Sequence, residues 1–71
     1  MTDAEFDFVS ALLKQRSGLT LTKDKIYLLE TRLAPIARKH GLADLSALIA
    51  ALRAGGAAAL TADAVEAMTT N

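Results

Sequence analysis

The chain has no cysteine, so neither a disulfide framework nor a thiolate metal site is open to it, and its single histidine cannot assemble a metal cluster alone. Aromatic residues are scarce: two phenylalanines and one tyrosine. Base stacking therefore has few platforms, and a formal net charge of zero gives no overall field to neutralise phosphates. No apolar run approaches the roughly 20 residues of a membrane span. The acidic start Met1-Thr-Asp-Ala-Glu-Phe-Asp7 lacks the cationic opening of an export signal. These absences point to a cytoplasmic setting, with no membrane insertion and no nucleic-acid partner. Proline occurs once, at Pro35.

What is present is apolar but small. Hydrophobic residues make up 52% of 71 positions, yet fifteen of them are alanines. One domain of this length buries only about 60 to 65% of the surface its unfolded chain exposes. Leucine, isoleucine, valine, phenylalanine, methionine and Tyr27 are thus expected to supply most of a thin core.

The apolar spacing is helical throughout, with no alternating strand pattern, and it predicts an all-α fold: a compact orthogonal or irregular bundle of four short helices. The first opens on a capping box, Thr2 with Glu5, and buries Phe6, Val9 and Leu13 with Phe8 and Leu12 beside them. Gly18 ends it. A second helix runs from a Thr22 cap to Gly41, with Ile26, Leu29, Leu33, Ile36 and Ala37 as its apolar stripe. Pro35 removes a hydrogen bond inside it, so a kink or a break is expected near Thr31 to Ala34. The third helix, Asp44 to about Arg53, offers Leu45, Leu48, Ile49 and Leu52, and Gly55-Gly56 stops it. From about Ala57 to Met68 the fourth has a weaker face of Leu60, Ala64, Val65 and Met68.

Charge is not spread evenly over these elements. Between Thr22 and Leu42 lie five of the eight basic residues against two acids. Concentrated charge is how a small protein selects a partner of opposite sign. At 100° per residue Lys25, Arg32 and Lys39 form one stripe, roughly 21 Å long in a straight helix, with Arg38 and Tyr27 on the other flank. Lys23 and Lys25 also stand in the first turn, where the helix dipole disfavours a cation by about 0.3 to 1 kcal/mol. Local rules are most often broken at functional sites, although cations on a surface helix are commonly just solvated.

The remaining candidates are plainer. His40 has no acid beside it in sequence to orient it, so a helix-end histidine is expected rather than a general base. Asp63 and Glu66 sit three apart and are expected on a solvated face. No catalytic residue and no metal ligand is indicated.

Taken together, Phe6, Val9, Leu13, Ser17-Gly-Leu19, Lys25, Leu29, Arg32-Leu33, Arg38, Gly41-Leu42 and the closing Ala67-Met-Thr-Thr-Asn71 resemble the N-terminal helical domain of CheR-type chemotaxis receptor methyltransferases. The resemblance covers nearly the whole chain. It implies that residues 1–71 are an N-terminal domain, with a catalytic S-adenosylmethionine-binding domain expected to follow Asn71 in the parent enzyme. That enzyme would methylate glutamates on the cytoplasmic helices of chemoreceptors. By the same resemblance Arg32 and Arg38 would contact the receptor, and Asn71 would bind the cofactor. Lys25 and Lys39 join the receptor set from the stripe geometry. Without a glycine-rich cofactor turn, this stretch alone is expected neither to bind S-adenosylmethionine nor to methylate. The segment Ala34-Pro-Ile-Ala37 departs from the family, where many relatives carry extra arginines. An alternative reading is a free-standing helical module that binds an acidic protein.

Overall fold

In the computed structural model, which describes residues 1–69, four α-helices follow one another: α1 Asp3–Ser17, α2 Ile26–Lys39, α3 Leu45–Arg53 and α4 Ala58–Thr69. The capping box forms as the sequence predicts. Thr2 accepts from the Glu5 amide at 3.1 Å, and the Glu5 carboxylate accepts from the Thr2 amide at 2.8 Å. That bond and a hydroxyl from Ser46 hold the Glu5 carboxyl below its usual pKa. Asp44 caps α3 in the same way, accepting from the Ala47 amide at 2.8 Å.

Each helix contributes three residues to one core: Phe6, Val9 and Leu13 from α1; Leu29, Leu33 and Ala37 from α2; Leu48, Ile49 and Leu52 from α3; Leu60, Ala64 and Met68 from α4. Ile26, Ile36, Leu45 and Val65 are only half-buried around it. Both α3 and α4 pack against α1 and α2, in a globule 28 × 23 × 22 Å.

Two expectations are corrected, and the break allowed for at Pro35 is excluded. The second helix begins later than the cap residue Thr22 suggests, because Lys23–Lys25 form a separate 3-10 turn and the α-helix starts at Ile26. Thr22 offers no side-chain cap to a backbone amide. Its hydroxyl instead donates to the Asp24 carboxylate. Tyr27 is not part of the core but stands 58% exposed, since it falls on the side of α2 that no other helix covers. Pro35 does not break α2, which is continuous from Ile26 to Lys39 with the proline ring on its exposed side.

The end of α2 is fixed by its glycine. Gly41 takes a φ of 70°, a left-handed conformation that costs a residue with a Cβ. In that geometry the Leu42 amide donates to the Ala37 carbonyl at 2.8 Å and the Gly41 amide to the Arg38 carbonyl at 3.1 Å. These two bonds make a Schellman stop, and Leu42 folds back onto the core.

Candidate functional site

Two sides of α2 differ in what faces them. Arg32 and Arg38 are six residues apart, which turns their side chains about 120° from one another on a helix. Arg38 is exposed, on the same uncovered side as Tyr27. Arg32 is half-buried and reaches across to α4, where its Nη1 donates to the Ala67 carbonyl at 3.4 Å.

The last turn of α2 also meets α4. Lys39 Nζ lies 3.0 Å from Asp63 Oδ2, and His40 Nε2 donates to the same oxygen at 2.8 Å. Asp63 and His40 are about three-quarters covered, with side-chain exposures of 24% and 23%. The hydrogen bond from His40, followed by that from Lys39, holds the Asp63 carboxyl below its usual value, against the opposing effect of burial. Asp63 is therefore not on a solvated face, and His40 does have an orienting acid. The partners are 23 residues apart, so no local pattern announces them.

Between these two contacts runs an open groove of about 200 Å³ lined by Ile36, Lys39, Asp63, Glu66 and Ala67. Asp63 and Ala67, four apart, share one face of α4 and hold it at two successive turns. We call this contact the α2–α4 seam.

The expected cationic row is distributed among several surfaces. Lys25 precedes α2 in the 3-10 turn and is exposed. Lys23 pairs with Asp3 of α1 at 3.5 Å, an exposed contact worth little on its own. Lys39 keeps 64% of its side chain exposed while holding Asp63, so it can still present charge outward. Arg32, Lys39 and His40 share the seam; Arg38 and Lys25 do not take part in it.

Cofactor-binding features do not gather in the described residues. They form helices joined by short turns, with no strand leading into a glycine-rich loop, so they do not fit S-adenosylmethionine by themselves. Asn71 lies outside the described residues. Among those residues no group of three or more His, Asp or Glu side chains is placed to hold a metal. No described helix is long and apolar enough to cross a membrane.

Comparisons with known proteins agree on one family. The chain is 39% identical over all 71 residues to a chemotaxis protein methyltransferase of Vibrio parahaemolyticus serotype O3:K6 (strain RIMD 2210633), and it spans 26% of that protein's length. It is 37% identical, again over 71 residues and 26% of the relative, to a chemotaxis protein methyltransferase of Vibrio anguillarum. No solved structure gives a significant match. The family model described as CheR methyltransferase, all-alpha domain, matches residues 4–69, from the first turn of α1 to the last of α4. With its four helices and their caps accounted for over that span, the chain belongs to the CheR methyltransferase all-alpha domain family.

Proposed function

We propose that this chain is the substrate-recognition and accessory domain of an S-adenosylmethionine-dependent protein-glutamate O-methyltransferase acting on chemoreceptors in bacterial chemotaxis. The observation that carries the reading is the identity to chemotaxis protein methyltransferases along the entire chain. The domain supplies no reacting group. Its part is to hold a glutamate-bearing helix in register while a separate catalytic domain, its second partner, delivers the methyl group in the cytoplasm. Asn71 is assigned to the cofactor side of that arrangement.

Receptor contact in this reading falls on the uncovered side of α2. Arg38 and Lys25 are exposed there and before it, and Lys39 contributes the charge left outward by its contact with Asp63. A methylation region rich in carboxylates is an anionic rod, and opposing cations steer encounter and fix register more than they add affinity. Tyr27, the large exposed apolar residue, provides surface for packing against such a rod.

The test uses the full-length protein that carries this chain, labelled S-adenosylmethionine and a soluble receptor fragment. Arg38→Ala is expected to raise the KM for receptor about two- to fivefold, the size of one exposed ionic contact, with kcat unchanged. Raising salt should shrink the difference. An unaltered receptor KM in Arg38→Ala and Lys25→Ala together removes α2 from the recognition surface.

A further inference from the structure

Three of the four helices carry their own cations in the last turn: Lys14 and Arg16 in α1, Arg38 and Lys39 in α2, Arg53 in α3. The last turn of α4 has none. Carbonyls at a helix C-terminus are left without intrahelical partners and carry the negative end of the dipole. In α4 that end is met from outside, by the Arg32 guanidinium on the Ala67 carbonyl.

One turn earlier, Lys39 and His40 hold Asp63 on the same face of α4. Five of its twelve residues are alanine, and Leu60, Ala64 and Met68 hold the helix in the core. Polar contacts from α2 add to that packing, and Arg32 meets the final turn. Beyond that turn the chain continues into residues 70 and 71.

We propose that Arg32 is a positioning residue: acting through the Ala67 carbonyl, it fixes the last turn of α4, and it does not serve as a receptor contact. The kinetic consequence rests on the methyltransferase reading above; the structural one does not. On that reading, a loosened last turn of α4 costs alignment with the catalytic domain and lowers turnover, while binding of the receptor is kept.

The experiment compares Arg32→Ala, Arg32→Lys and Arg38→Ala in the full-length protein by hydrogen exchange and by steady-state methylation of a receptor fragment. Arg32→Ala should speed exchange at the amides of Ala67, Met68 and Thr69 about tenfold. It should lower kcat about tenfold, with the receptor KM within about twofold. Arg32→Lys keeps a cation at the helix end and should recover most of the protection. Arg38→Ala should show the reverse split, a raised receptor KM with kcat and exchange unaltered. A raised receptor KM in Arg32→Ala, with kcat and exchange intact, makes Arg32 a contact residue and overturns the proposal. So does equal loss of protection in α1, which marks a global role. If the wild-type protein methylates no receptor fragment, the functional reading fails, and the exchange pattern in the two Arg32 variants still decides the positioning claim.

Discussion

The two sides of α2 carry similar residues and meet different fates. On one, Arg32, Lys39 and His40 lie against the carbonyl and carboxylate groups of α4; on the other, Tyr27 and Arg38 face solvent. The same guanidinium group thus joins helices in one place and stands open in the other. What separates them is the neighbour, not the residue. A local excess of cations marks a helix as interesting, but which cations are available to a partner is decided by residues twenty to forty positions away.

The largest effect that sharpens this contrast comes from the apolar side of the same helix. Leu29 is fully buried, and Leu29→Ala should lower stability by about 2 to 5 kcal/mol, enough to unfold a marginal domain of this size. Tyr27→Ala, two residues earlier on the uncovered side, should change it by no more than about 0.5 kcal/mol. Urea melts of both variants give the comparison directly; equal losses would mean that the tyrosine is held by contacts its exposure does not suggest.

Pro35 comes next. It lies on the exposed side of an unbroken helix, so Pro35→Ala restores a backbone donor and should stabilise the domain by about 1 to 3 kcal/mol. Part of that gain is offset by the greater freedom of the unfolded chain. A lower melting temperature in this variant would show that the proline is built into the packing.

The smallest effect is expected at the seam, and pH reveals it. The Asp63 carboxyl is held below its ordinary value of 3.8 by His40 and Lys39. The folded state therefore binds fewer protons at this group than the unfolded one. Its contribution is complete above the ordinary value and is lost as pH falls through the lowered native one. Asp63→Asn should flatten the acid limb of the stability profile. An acid limb identical to wild type would mean that the cluster does not persist in solution.

Much of the fold was legible because its determinants are local. Thr2 with Glu5, Asp44 with Ala47, and Gly41 after the last turn of α2 act within five residues, a range over which sequence spacing translates directly into geometry. The core residues follow from one-face periodicity, which is why Leu29, Leu33, Ala37 and their counterparts were all within the predicted stripes. Tyr27 was misplaced because composition says what must be buried in total, not which side of a helix is left uncovered. The start of α2 was misjudged because Thr22 bonds to Asp24 and not to a helix amide. Least legible was the seam: His40 meets Asp63 across 23 residues and Arg32 meets Ala67 across 35. No window short enough to show a period contains both partners.

At the foot of α4, a Cβ placed on Gly56 would lie 2.7 Å from the Ala51 carbonyl oxygen, closer than real atoms approach. Position 56 thus leaves no space for a side chain, and α4 stands on that point like a lever on its fulcrum. Its twelve residues make an arm of roughly 18 Å, so a tilt of about 10° at the base would swing the tip by about 3 Å. That is as large as a hydrogen bond is long, and enough to carry Ala67 away from Arg32 altogether. Gly56→Ala, far from every charged group in the seam, should therefore undo the alignment at the opposite end of the molecule.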